Sequence, residues 1–266
     1  MTTKIHPSAV ISPKAQIDVD VEIGPFCIVY DNVKIGKGTK LHSHVVVDGH
    51  TTIGNDNKIF PFVSLGSIPQ DLKYKGEESK LIIGNNNSIR EYTTMNPGTE
   101  GGGLITKIGD NCLFMMSCHV AHDCTIGNNV IMANNATLAG HVTIEEFAII
   151  GGLAAVHQWV RIGAHAMIGG MSAVEKDVIP YGLIMGERAS LAGLNIVGLK
   201  RRNFNRDEIN ALREAYEKLF ENKKAAKSFE ERVDEIKQEF NSFEGVQHLV
   251  TFLKEETSRS FCMPKI

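Results

Sequence analysis

The 266-residue sequence predicts a mainly β protein, a parallel β-helix of hexapeptide repeats over residues 1–185 followed by a C-terminal α-helical domain over 186–266. Three observations carry this expectation. Aliphatic residues recur every six positions, a lane of small or β-branched residues keeps the same phase, and the period gives way near Pro180 to amphipathic helical patterns.

The first run of aliphatics is Ile5, Ile11, Ile17, Ile23, Val29, Ile35, Leu41, Val47, Ile53, Ile59 and Leu65. A short phase-shifted run, Ile83, Ile89 and Met95, follows. A third run extends from Ile108 through Val120, Ile126, Leu138 and Val156 to Val174. Four residues after each aliphatic comes the second lane, with Ala9, Ala15, Val21, Cys27, Val33, Thr39 and Val45 early, and Cys112, Cys118, Cys124, Val130 and Ala136 later. Three short strands then close one coil of about 18 residues, and coils stack at about 4.8 Å. The aliphatics should fill the interior in columns, with the small lane at the corners. Glycine often follows the aliphatic, as at Gly109 and Gly127, where it should ease a tight turn. Such a solenoid buries its core only by stacking, so a cap is expected at each end.

Two segments leave the period, GSIPQDLKYKGEESKL over 66–81 and PGTEGGGL over 97–104. Loops thrown out of a rigid scaffold are where function concentrates. Past Pro180, helices are expected over Asn205–Asn222, Ser228–Phe240 and Glu244–Thr257. Asn205 should cap the first, with Glu208 three residues on, and Ser228 with Glu231 should form a capping box on the second.

Composition narrows the function. At 42% hydrophobic and 7% aromatic, the core is aliphatic. A net charge of −3 leaves no basic excess for nucleic acid. No window approaches the ~18 apolar residues of a membrane span, and MTTKIHPSAV lacks the apolar region of a signal peptide. Five cysteines, an odd number, suit reduced thiols in a cytoplasmic protein.

The stretch SCHVAHDCTIG, 117–127, resembles a zinc cluster. Phase divides it. Cys118 and Cys124 belong to the inward lane, whereas His119 and His122 flank the inward Val120 and should point outward. A thiol inside the wall and an imidazole outside it cannot share a metal. The coil period places His122 beside Gly140 and His141, and two coils on beside His157 and Gln158. Two chemistries can use that ridge. Three imidazoles can hold zinc, as in carbonic anhydrases built on such coils. Alternatively His122 is a general base toward a hydroxyl or amine, Asp123 orients it, and the Gly140 N–H meets an oxyanion. The second needs no metal and no cofactor.

The segments HVVVDGHTTIG (44–54), IPQDLKYKGE (68–77), GTEGGG (98–103), SCHVAHDCTIGNNVIMANNATLAGHVTI (117–144), AIIGGLAAVHQ (148–158) and LNIVGLKRRNF (194–204) closely resemble the UDP-N-acetylglucosamine O-acyltransferase family, over nearly the whole chain. The resemblance implies a left-handed β-helix, a homotrimer with clefts between neighbouring solenoids, and the first step of lipid A biosynthesis. An (R)-3-hydroxyacyl chain would move from acyl carrier protein to the glucosamine 3-position of UDP-N-acetylglucosamine. It makes His122 the general base, Asp123 its partner and the Gly140 amide the oxyanion donor. It implies that Asp71, Lys73, His119, His141 and Gln158 position substrate and that His157 lines the acyl or nucleotide region. Asn195, Arg201 and Arg202 resemble the family's uridine-diphosphate contacts, which suits the arginine fork. Gly170 stands at the position that limits acyl length, where glycine suggests about fourteen carbons. Lys200, Arg201, Arg202 and Arg206, with Lys223, Lys224 and Lys227, form the basic clusters expected to meet an acidic carrier protein. Three positions depart from the family pattern: Asn96 and Arg188 stand where histidine is frequent, and Val197 where glutamate is. They leave a 3-amino sugar acceptor, giving an amide, as an alternative to the 3-hydroxyl.

Overall fold

A computed structural model describes residues 2–221 and 227–265 of the chain. It is a left-handed parallel β-helix closed at its C-terminal end by helices. Three sheets form the walls, parallel except for the antiparallel last pair of the first. The first has eleven strands and runs from Lys4–Ile5 to Ser190–Leu194, the second has nine, from Val10–Ile11 to Ala173–Val174, and the third has eight, from Gln16–Ile17 to Arg161–Ile162. Most strands are two residues long, an outward residue followed by the inward aliphatic, as in His119–Val120. Each strand pairs with the one a full coil away, so His119 lies opposite Thr137 and Ile126 opposite Ile144.

The period breaks where the two insertions leave. Lys58 pairs with Ser88 across the first, and Ser88 with Leu113 across the second. Both insertions leave a strand of the second sheet, Ser64–Leu65 or Thr94–Met95, and return into the third, at Lys80–Ile83 and Ile105–Ile108. Both therefore emerge on one edge of the prism, the second–third edge. A 3-10 turn at Glu100–Gly102 shapes the shorter one.

The inward columns and the small lane form one core. Ile126, Leu138 and Val156 are buried, and so are Cys27, Cys112, Cys118, Cys124 and Ala136. The corners correct one expectation. The glycine after the aliphatic does not carry the left-handed turn. At Gly127 a Cβ would lie 2.7 Å from the backbone N of Glu146 on the next coil, and at Gly109 2.7 Å from the Gly127 carbonyl carbon. Glycine is there for close stacking. The left-handed residue comes two positions later, Asn111 (φ 58°) and Asn129 (φ 58°). Along the same corner, a buried side-chain ladder replaces hydrophobic filling for three coils. Asn57 Oδ1 accepts from Asn87 N at 2.9 Å, and Asn87 Oδ1 from Cys112 N at 2.7 Å.

The inward run also fails at its start. Ile5 is 49% exposed, because among the described residues no coil lies beneath it and nothing caps it. The other end is capped. The first and last strands of a hairpin, Gly182–Met185 and Ser190–Leu194, extend the first sheet. The expected domain division at 185/186 falls in its turn. Helix α1, Ile196–Arg201, was not foreseen, being six residues long with Gly198 inside it. Helix α2, Arg206–Tyr216, is capped by Asn205 and runs into a π-turn over Glu217–Glu221. Helix α3, Phe229–Glu239, has the Ser228/Glu231 capping box, and α4 is Glu244–Lys254. The expected end of the first of these helices at Asn222, with Lys223 and Lys224, lies outside the described residues. Leu199, Leu212, Ile236 and Leu249 join the solenoid core. The C-terminal tail crosses back over the last coil, where Asp177 N donates to Ser260 O and Cys262 N to Asp177 O.

Candidate active site

The second–third edge carries the histidine ridge. His122 leaves the wall between the strands His119–Val120 and Thr125–Ile126, and the insertions cover it to 5% exposure. Its Nδ1 donates to Asp123 Oδ2 at 2.7 Å. That bond fixes the tautomer and leaves the lone pair on Nε2, facing Asp71 Oδ2 at 3.9 Å.

Asp123 is itself held by the second insertion. Its Oδ1 accepts from Thr99 N at 2.8 Å and its Oδ2 from Thr99 Oγ1 at 2.6 Å, while its own N–H donates to Thr106 Oγ1 at 2.8 Å. Thr99 and Thr106 are both buried. Neither was singled out from the sequence: their partner lies 24 and 17 residues away across an aperiodic loop. Glycine lets the loop lie this close. A Cβ at Gly102 would stand 2.0 Å from Asp123 Cγ.

One coil on, Gly140 faces His122 so closely that a Cβ would lie 2.4 Å from its Cε1. The Gly140 N–H has no acceptor among the described residues. His141 meets His122 edge-on, with centroids 5.0 Å apart, and its Nδ1 lies 3.8 Å from Asp123 Oδ2. Burial holds the His141 pKa below its ordinary value, against the pull of Asp123. His119 is held low as well, by burial and then by His122, and its Nδ1 bonds Thr94 Oγ1 at 2.8 Å. A base with a free Nε2, a carboxylate behind it and an unengaged backbone N–H beside it can deprotonate a hydroxyl attacking a carbonyl.

Comparison with known proteins gives the family. A model of bacterial transferase hexapeptide repeats matches residues 20–49 and 105–140, and one described as UDP N-acetylglucosamine O-acyltransferase, Domain 2, matches 177–262. The acyl-[acyl-carrier-protein]–UDP-N-acetylglucosamine O-acyltransferase of Thermodesulfovibrio yellowstonii is 53% identical, covering 97% of this chain and 99% of its own. The chain belongs to the UDP-N-acetylglucosamine O-acyltransferase family. The acyltransferase of Bartonella henselae is 48% identical over 99% of this chain and 95% of its own. Among solved structures, UDP-N-acetylglucosamine acyltransferase from Campylobacter jejuni superposes with TM-score 0.92 at 41% identity, covering 98% of this chain and 100% of its own. That from Arabidopsis gives 0.85 at 39%, covering 97% and 99%.

Within one chain of this acyltransferase, the foreseen residues fall into groups. Asp71, His122, Asp123, Gly140 and His141 come together, and Lys73 is near enough for its charge to act on His141. His157 and Gln158 continue the ridge, exposed, and His157 Nδ1 accepts from Arg259 of the C-terminal tail at 2.8 Å. Gly170 lies on the first–second edge, packed near Gly152 O. Asn195 and Arg202 lie on the third–first edge. There Asn195 Nδ2 donates to His165 O at 2.9 Å and its Oδ1 accepts from Gly198 N at 3.0 Å. Arg202 donates to Phe147 O at 2.8 Å, and Arg201 is exposed. Of the three departures, Asn96 is buried and ties the second sheet to the first insertion through Ser67 O at 3.0 Å, while Arg188 and Val197 are exposed.

The same residues include a possible metal-ligand set. Ligand atoms of His122, Asp123 and His141 lie within 4.8 Å of one another. Asp123 Oδ2 already accepts from His122 and Thr99, which fits an orienting carboxylate rather than a metal ligand. Burial pushes the Cys118 and Cys124 thiols up to about 12, so neither offers a thiolate.

Proposed function

We propose that this chain moves an (R)-3-hydroxyacyl group from acyl carrier protein to the 3-hydroxyl of the glucosamine in UDP-N-acetylglucosamine, in the cytoplasm, as the opening step of lipid A biosynthesis. The observation that carries the mechanism is the His122–Asp123 pair, buried, with Nδ1 engaged and Nε2 free. The sugar 3-oxygen attacks the thioester carbonyl carbon while Nε2 takes its proton. Asp123 supports the imidazolium, and the Gly140 N–H receives the developing oxyanion. Collapse of the tetrahedral intermediate breaks the carbon–sulfur bond, and the imidazolium returns its proton to the departing carrier thiolate. Asp71, Lys73, His119, His141, His157 and Gln158 position the substrates around this centre.

The working unit in this reading is a homotrimer. The phosphate-binding candidates Asn195, Arg201 and Arg202 and the length-limiting Gly170 sit on edges other than that of His122, so a neighbouring solenoid must supply the facing wall. Residues 186–266 serve as a second domain that contributes the arginines and, through Lys200, Arg201, Arg202 and Arg206, a basic surface for the acidic carrier.

The test is a product measurement. The purified protein is given 3-hydroxyacyl carrier proteins of several lengths with UDP-N-acetylglucosamine or its 3-amino analogue, and products are read by mass. The expected result is an ester on the 3-hydroxyl, with a preferred chain near fourteen carbons. Amide formation alone would transfer the reading to the amino sugar. No transfer to either acceptor would remove it.

A further inference from the structure

Trp159 is the one tryptophan of the sequence. It stands on the ridge one coil beyond His141, and its backbone N–H donates to Gly140 O at 3.2 Å. Its ring lies flat on the His141 imidazole, centroids 3.7 Å apart and planes 4° apart. His141 is thereby held between the indole on one side and the His122–Asp123 pair on the other. Core packing does not account for Trp159, which remains 47% exposed. Both residues occupy left-handed corners, φ 63° for His141 and 67° for Trp159, so stacked coils set their rings in register.

We propose that Trp159 is a positioning residue for acyl transfer: stacked on His141, it fixes that imidazole edge-on to His122 and shields it from water. This rests on reading His122 as the base. Four charged or titratable groups face His141. Asp123 and Asp71 favour its protonation, and His122 and Lys73 oppose it; burial is the largest single influence, and the net effect keeps the ring neutral more readily than in water. The indole supplies one whole face of that burial. Without it, His141 takes up a proton more readily and competes with His122 for Asp123 Oδ2. The base then loses its partner. Phenylalanine retains a flat apolar face and should preserve the effect.

The experiment compares Trp159→Ala and Trp159→Phe with the parent in acyl transfer from pH 6 to pH 9. Trp159→Ala should lower kcat/KM about tenfold at pH 6.5, with the deficit closing toward pH 9. Trp159→Phe should stay within about threefold of the parent throughout. An equal loss at every pH, no loss, or failure of phenylalanine to rescue would overturn the proposal. A second measurement needs no substitution of Trp159. Protonated imidazole quenches a stacked indole, so emission of the parent should fall along one titration step with a midpoint below about 6.5, and His141→Asn should abolish that step. Emission without such a step would equally overturn it. The two readings separate cleanly: normal activity in His122→Ala removes the base itself, whereas an inactive His122→Ala beside an unaffected Trp159→Ala removes only the role of Trp159.

Discussion

His165 shows how one side chain couples the coil stack to pH. It is stacked between Phe147, at 4.9 Å, and Tyr181, at 5.6 Å, and its Nδ1 has no partner among the described residues. Burial, then the charges of Arg202 and His248, hold its pKa down to about 4. Above the unfolded value of about 6.5 it costs the fold nothing. As pH falls from there toward 4, the unfolded chain binds a proton that the native chain refuses, so stability drops by a total of about 3 kcal/mol. His248 works in the opposite sense. Its bond to Glu145 raises its pKa, so its contribution is fully present below the unfolded value and is lost as pH rises through the folded one. His165→Phe should keep the stack and remove the acid cost, so its denaturation midpoint should fall less than the parent's between pH 7 and pH 4.5. Equal falls would contradict this account of His165. None of this was legible beforehand, since His165 lies outside every segment singled out. The cysteines of SCHVAHDCTIG were legible, because a strict period assigns each residue a side of the wall.

At the scale of elements, the two insertions convert an exposed edge into a site. Their existence was readable as lost period, and so was the ridge they cover, since a residue and its neighbour one coil on differ by about 18 positions. Their conformation was not. Thr99 reaches Asp123 because Gly98 and Gly102 let the loop lie flat, where a Cβ at Gly98 would sit 2.1 Å from Ile105 N. GTEGGG could be quoted, but nothing in an aperiodic string says which carboxylate it will cover. Gly102→Ala should lift the loop off Asp123 and lower kcat by about tenfold or more, with little change in the thermal midpoint, because the loop adds nothing to the core. Unchanged kcat would show that Thr99 is dispensable. The small α1 escaped notice for a related reason. Six residues give too short a window for helical periodicity, and its cap Asn195, whose Oδ1 accepts from Gly198 N while its Nδ2 donates to His165 O, carries no periodic signal.

For the whole molecule, the solenoid was legible because stacking imposes one rule on every coil, and that rule appears in the sequence as a period of six. It fails where stacking stops, at the exposed Ile5 below and at the hairpin and tail above, where Asp177 meets Ser260 and Cys262 across more than eighty residues. Three edges give the chain three separate sets of groups: the His122 ridge, the Gly170 edge, and the Asn195–Arg202 edge. In the proposed function, association of several copies is what brings such sets face to face. Within this frame the proposed acyl transfer depends on His122 as the base. The most direct measurement is kcat for acyl transfer by His122→Ala, with its thermal midpoint and substrate affinity recorded beside those of the parent. The account predicts a normally folded, substrate-binding protein whose kcat is down by about a hundredfold or more. Near-parental kcat in that variant would contradict it.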